Sequence, residues 1–219
     1  KQITERSRTR RSYAGKLMGL AGYGTVKEKM LPHLRQFFIT RDGKILDKIN
    51  NGIFYDGNGG KNLAATIQKT LENILFEELD KYHSNIPLIV TGGCALNVII
   101  NEKIKDRYKR EVYVPPNPHD GGLSLGHMFC YQTPKERVDV TYNGLPLLDR
   151  DKLKDYETKK VTKKDIARLL KDGKIIGLIY GDSEVGPRAL GNRSIVCDPN
   201  IANMKDILNS KVKHRESYR

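Results

Sequence analysis

The chain is 219 residues long, carries a formal net charge of +13, and is 38% hydrophobic and 30% charged. That length accommodates one large domain or two modest ones, since independent cores run to roughly 100 to 150 residues. The apolar residues fall in runs and stripes, unlike those of a disordered chain, and no apolar stretch approaches the ~20 residues of a membrane helix.

The N-terminus, Lys1-Gln2-Ile3-Thr4-Glu5-Arg6, has no signal-peptide core, so a cytoplasmic, non-membrane protein is expected. The missing initiator Met and the abrupt ending at Arg219 suggest a piece cut from a longer protein. Cys94, Cys130 and Cys197 form no Cys-x-x-Cys pair and read as reduced, mostly buried thiols. Basic residues gather at Arg6, Arg8, Arg10 and Arg11, at Lys103, Lys105, Arg107, Lys109 and Arg110, in 159–164, and at the C-terminal end. No aromatics are interleaved with them, so solvated faces and small phosphorylated substrates account for the charge better than nucleic acid does.

In chain order, residues 15–24 (GKLMGLAGYG) begin like a helix and end in a turn. Phe37-Phe38-Ile39 and Lys44-Ile45-Leu46 read as two strands hinged on Arg41-Asp42-Gly43. Leu63, Ile67, Leu71, Ile74, Leu75 and Leu79 keep the rhythm of one helix face. The run Ile86-Pro87-Leu88-Ile89-Val90 then feeds Thr91-Gly92-Gly93-Cys94-Ala95-Leu96-Asn97 and a second helical pattern, the order strand, glycine turn, helix. Glu111-Val112-Tyr113-Val114 forms another strand, and His119-Asp120-Gly121-Gly122 opens a further helix. This alternation predicts an α/β layer structure. Residues 133–160 read as a connector. Thr162 then caps a helix with Asp165 at its third position and Gly173 at its end, before a strand at 175–180.

Three constellations can carry chemistry. Gly92-Gly93 at a strand end lets a ligand approach the backbone, with the next helix N-terminus favouring phosphate; a ligand-free tight turn is the alternative. Asp120 is either an N-cap or an oxygen ligand for a divalent metal bridging nucleotide phosphates. Arg188 and Arg193, framed by Gly186-Pro187 and Gly191, suit bidentate recognition of an anion, against a surface salt-bridge cluster. The 209–219 segment adds further cations. His33, His83, His119, His127 and His214 supply no His-x-x-x-His pair.

GKLMGLAGYG (15–24), TGGCALN (91–97), PPNPHDGGLSLG (115–126), EVGPRALGNRSI (184–195) and NSKVKHRESYR (209–219) together resemble the O-carbamoyltransferases of nodulation and antibiotic tailoring. The resemblance implies an α/β protein of two parts. The first, residues 1–132, is the C-terminal part of an actin/sugar-kinase/Hsp70-like (Kae1-like) nucleotide- and metal-binding domain. After the 133–160 connector, residues 161–219 open a YrdC-like α/β domain that binds carbamoyl phosphate. The resemblance further implies that carbamoyl phosphate and ATP yield carbamoyladenylate, and that the carbamoyl group passes to a hydroxyl of a small-molecule or saccharide acceptor. Carried over residue by residue, Lys16, Gly92, Gly93 and Asn97 match nucleotide-binding positions. Asp120 matches a metal ligand, the ion being iron(II) with magnesium as the alternative. Arg188, Arg193, Lys213 and Arg219 match the carbamoyl phosphate or adenylate site, with Arg188 and Lys213 as the catalytic cations.

Two departures stand out. The family's early His-x-x-x-His metal pair is absent, and Asp182-Ser183 replaces an arginine often found before Glu184. The fragment alone is therefore expected to be inactive, and a homo-oligomer is compatible with these readings. A sugar- or acetate-kinase relative and a non-catalytic nucleotide-binding module are the competing readings.

Overall fold

The computed structural model describes residues 14–48, 58, 60–82, 85–149 and 151–219. Arg6, Arg8, Arg10, Arg11 and His83 lie outside them. The described chain is mixed α/β and divides into two compact units: Lys1–Ile86 with Ile99–Arg110 and Tyr218–Arg219, and Pro87–Val98 with Glu111–Ser217.

In the first unit, helix α1 (Ala14–Ala21) ends in a turn that lies directly on the start of α4 (Lys61–Leu79). Gly24 permits this approach: a Cβ there would sit 2.1 Å from the Lys61 carbonyl oxygen. The next residues dock on α4 through polar groups. The Thr25 amide donates to Asn62 Oδ1 at 2.7 Å and the Lys27 amide to Thr66 Oγ1 at 3.0 Å. Thr66 and Thr70 hydroxyls donate to the carbonyls one turn back, at 2.6 and 2.7 Å. Asn62, Thr66 and Thr70 recur every four residues, so a polar stripe of α4 is buried and hydrogen-bonded. The apolar stripe, Leu63 to Leu79, is only half-buried.

The two expected strands near residue 40 are helices instead, α2 (Leu31–Thr40) and α3 (Gly43–Lys48). Met30, Leu34 and Phe37 fall at i, i+4 and i+7, and with Ile45, Leu63 and Ile67 they form the unit's apolar core. Each fully buried side chain there contributes about 1.5 to 3 kcal/mol, which outweighs the β-propensity of Phe37-Phe38-Ile39. The Arg41-Asp42-Gly43 turn reverses two helices rather than two strands. Arg41 adopts the left-handed conformation (φ 59) and its amide closes α2 on the Phe37 carbonyl, while Asp42 Oδ1 accepts from the Lys44 amide at 3.0 Å.

Helix α5 (Val98–Tyr108) buries Ile100 and Ile104. Its cations engage α4: Lys103 Nζ donates to the buried Glu72 at 2.6 Å, and Arg107 Nε to Asp80 Oδ1 at 3.2 Å. The Arg107 guanidinium also stands 5.2 Å from the Phe76 ring centroid, within cation–π range.

In the second unit, β1 (Leu88–Ile89) and β2 (Val112–Tyr113) pair in parallel, Leu88 with Val112 and Ile89 with Tyr113. Helix α6 (Leu123–Tyr131) follows. Helix α7 (Lys163–Lys171) has the expected capping box, with the Thr162 side chain accepting from the Asp165 amide and the Asp165 side chain from the Thr162 amide; Gly173 turns the chain at φ 79. Strands β3 (Ile176–Ile179) and β4 (Arg193–Val196) form an antiparallel ladder from Ile176–Val196 to Ile179–Arg193. Inside the 133–160 segment, Gly144 and Leu147 amides donate to Ser183 and Gly181 carbonyls at 3.0 and 3.1 Å, so part of it runs antiparallel along the chain after β3. A short helix α8 (Met204–Ile207) continues into a π-helical turn, Leu208–Val212. No helix among the described residues is long and apolar enough to cross a membrane. The cysteines are free, but Cys94 and Cys130 are exposed, against the expectation of burial. Cys94 lies on the turn after β1, and Cys130 on α6, no residue of which is buried.

Candidate functional site

The turn after β1 is built for close approach. Gly92 takes φ 86 and ψ 173, a conformation that disfavours any side chain, and a Cβ at Gly92 or Gly93 would meet nothing within 4 Å. The Gly92 amide donates to the Pro118 carbonyl at 2.7 Å, and the Thr91 hydroxyl to the same oxygen at 3.1 Å. These bonds tie the turn to residues 115–122. A 3-10 turn, Gly93–Leu96, then leads through Asn97 into α5.

Residues 115–122 carry the carboxylate. His119, not Asp120, is the N-cap: its Nδ1 accepts from the Gly121 amide at 3.0 Å. Asp120 is thus not the N-cap residue of this turn. Its carboxylate is exposed at the first position of the Asp120–Gly122 turn that leads into α6. Gly122 sits tightly on Asn117, whose buried Oδ1 has no hydrogen-bond partner. Among the described residues, no three His, Cys, Asp or Glu side chains converge to hold a metal. Asp120 thus offers a single exposed carboxylate and not part of a closed metal centre among the described residues.

The 184–193 loop joins these two turns. Gly186 takes φ 110 and abuts the Pro116 carbonyl, where a Cβ would lie 2.1 Å from the oxygen. Exposed Arg188 reaches the Leu96 carbonyl with Nη2 at 2.8 Å, across 92 positions of sequence. Arg193 turns inward, Nε to Glu184 Oε2 at 3.1 Å and Nη2 to the Gly186 carbonyl at 2.9 Å. Glu184, its side chain fully buried, accepts from the Leu190 and Asn192 amides, both at 2.7 Å. Burial pushes the Glu184 pKa up, but these amides and the Arg193 guanidinium outweigh it and hold the carboxyl below the usual range.

The C-terminal segment is organised by Asn209, buried in the π-helical turn. Its Oδ1 accepts from Arg215 Nε at 2.6 Å and its carbonyl from the Arg215 amide at 3.0 Å. His214 between them is left-handed (φ 45), and Lys213 is exposed. Lys16 and Arg219 belong to the first unit, where Tyr218 lies beside Gly19 of α1, one helical turn from Lys16. The structure thus brings together Gly92, Gly93, Asn97, Asp120, Arg188 and Arg193 in one unit, with Lys213 elsewhere in that unit and Lys16 and Arg219 in the other. Glu184, Asn209 and Arg215 were missed in the sequence. An acid opening a Gly-Pro-framed loop was the available signal for Glu184; a buried Asn gives none. The first unit also holds an open groove of about 580 Å³ between α4 and α5, in whose lining Lys103 is paired with Glu72 and Arg107 with Asp80.

Two family models match: "Carbamoyltransferase N-terminus" over residues 4–128 and "Carbamoyltransferase C-terminus" over residues 167–219. Among curated relatives, nodulation protein NolNO of Sinorhizobium fredii is 33% identical over 93% of this chain and 35% of its own length. Nodulation protein U of Bradyrhizobium diazoefficiens is 28% identical over 94% of this chain and 42% of its own length. An uncharacterised protein of Methanocaldococcus jannaschii is 36% identical over 67% of this chain and 31% of its own length. The chain thus spans about a third to two fifths of the relatives it matches. By both matched ranges, this chain belongs to the carbamoyltransferase family.

Proposed function

We propose that the chain is part of a cytoplasmic, ATP-dependent O-carbamoyltransferase, contributing its nucleotide turn and the opening of its carbamoyl phosphate site. The observation that carries this reading is the Arg188–Leu96 hydrogen bond, which sets an arginine with no carboxylate partner among the described residues against the glycine turn. A cation beside a ligand-accessible glycine turn suits two phosphorylated substrates reacting with each other.

In this reading residues 1–132 belong to a Kae1-like domain, 133–160 connect, and 161–219 open a YrdC-like domain. Water hydrolyses carbamoyl phosphate to carbamate and inorganic phosphate; the carbamate oxygen then attacks the α-phosphorus of ATP, and pyrophosphate leaves. The acceptor hydroxyl then attacks the carbamoyl carbon of the adenylate, losing its proton, and AMP departs. Arg188 and Lys213 neutralise charge growing on phosphate oxygens, and Arg219 is a further anion-binding candidate by the resemblance. Arg193 acts through Glu184, as its inward bonds favour. Gly92, Gly93 and Asn97 receive nucleotide phosphates, and Lys16 is the nucleotide-binding candidate of the first unit. Asp120 supplies one carboxylate to a divalent metal, iron(II) or magnesium, and such an ion would screen phosphate charge when bound.

The test is carbamoyl phosphate-dependent exchange of labelled pyrophosphate into ATP by the whole protein. Exchange is expected, together with its loss in Arg188→Ala. Phosphoryl transfer from ATP to an acceptor without exchange would instead favour a kinase.

A further inference from the structure

The 184–193 loop uses its two arginines differently, and Glu184 is the reason. Its carboxylate sits under two backbone amides, Leu190 and Asn192 at 2.7 Å, and beside Arg193 Nε at 3.1 Å. Converging amides plus a guanidinium form the kind of donor set that recognises a bound anion. Here the anion is the chain's own side chain, with no side-chain surface left to solvent.

Two consequences follow from filling that seat internally. The charge of Arg193 is neutralised, and its second arm is committed to the Gly186 carbonyl. The loop is also closed at both ends, by Glu184 on Leu190 and Asn192 and by Gly186 on Pro116. Arg188 stands between these fixed points. Its bond to the Leu96 carbonyl positions the guanidinium without neutralising it, and no carboxylate pairs with it among the described residues. We propose that Glu184 is a positioning residue: it locks the 184–193 loop and occupies Arg193, so that Arg188 alone of the pair is presented, charged, at the 93–96 turn to a phosphorylated ligand. The identity of that ligand as carbamoyl phosphate rests on the function proposed above.

The experiment uses the whole protein with Glu184→Ala, Glu184→Gln and Arg188→Ala. Calorimetry measures binding of carbamoyl phosphate and, separately, of inorganic phosphate; hydrogen exchange on the ligand-free protein follows the Leu190 and Asn192 amides. Glu184→Ala is expected to expose both amides and weaken binding about tenfold or more, close to the loss in Arg188→Ala. Glu184→Gln keeps an acceptor for the amides, so protection should persist and affinity should fall only about threefold, from the released Arg193. Rescue by the glutamine would not accompany a general loss of folding. Should Glu184→Ala not fold, the glutamine variant carries the test through the Arg193 Nε–H resonance, which must shift.

Wild-type affinity in Glu184→Ala, or unchanged protection of the two amides, would overturn the proposal. So would an unmoved Arg193 resonance in Glu184→Gln. If the wild-type chain binds inorganic phosphate but not carbamoyl phosphate, the carbamoyl reading fails, while the order of the variants still decides the role of Glu184. If the wild type binds neither, presentation of Arg188 to a phosphorylated ligand is refuted as well.

Discussion

Replacing Gly186 by alanine tests the docking of the 184–193 loop on the 115–122 segment. The backbone there holds φ 110, and an added Cβ would lie 2.1 Å from the Pro116 oxygen and 2.9 Å from its carbonyl carbon. The backbone conformation alone costs an L-residue about 1 to 3 kcal/mol. The overlap adds to this, because both colliding groups are fixed to main chain and no rotamer change relieves them. Restoring ordinary contact needs a displacement of roughly 1 Å, comparable with overpacking that costs about 1 to 3 kcal/mol. The sum, about 2 to 6 kcal/mol, reaches the largest single-residue effects. Gly191→Ala is the control: φ there is 123, yet nothing lies within 4 Å of its Cβ position. Urea unfolding should therefore rank Gly186→Ala as the more destabilised by at least about 1 kcal/mol. Equal losses in the two variants would show that the loop does not rest on Pro116 in solution.

Among the described residues, Lys103→Met leaves the buried Glu72 carboxylate with only Gln68 Nε2 at 3.0 Å, and should destabilise by about 1 to 3 kcal/mol, discounted because Lys103 is half exposed. Adding Glu72→Gln should recover part of that loss in a double-mutant cycle; no recovery would mean the pair is uncoupled. Thr162→Ala removes one side of the capping box and should lower stability by about 1 kcal/mol, read from thermal unfolding. The Asp165 pKa is lowered by the Thr162 amide and then by its hydroxyl, so its contribution is present above the ordinary aspartate range and is lost as pH falls through the lower folded value. The Thr162 amide should thus become exchange-labile only below the ordinary aspartate range, and loosening at higher pH would contradict the assignment.

The local grammar of the chain was legible wherever one short segment decides the outcome. Thr162 and Asp165 sit three positions apart and satisfy each other, so their capping box could be read from four residues. The Gly92 turn was likewise signalled by a strand ending in two glycines. The segment near residue 40 was not, because Phe37-Phe38-Ile39 suits a strand locally and becomes helical only once Leu34 and Phe37 find Leu63 and Ile67. On α4 the apolar rhythm predicted the helix correctly, but the polar positions Asn62, Thr66 and Thr70 are more buried than the apolar stripe. Asn62, Thr66 and Thr70 are buried there because loop residues Thr25 and Lys27 donate to two of them, a pairing about 40 residues away that leaves no periodic trace.

The candidate site shows the same division between inventory and wiring. Arg188 and Arg193 are alike in type and share one glycine-framed motif, so the sequence offers them as an equivalent pair. What separates them is Glu184, whose seat is made of main-chain amides six and eight residues on and whose bond to Arg193 removes one cation from use. Backbone donors have no residue identity, so composition is silent on such a seat. Asn209 repeats the case, using Oδ1 and its carbonyl to hold Arg215 in a stretch that reads simply as basic. Counting cations in 184–219 therefore overstates the positive field available to an anionic ligand. The charge that matters is what remains after Glu184 takes Arg193, and in this loop it is concentrated at Arg188, beside the glycine turn that a phosphate can approach.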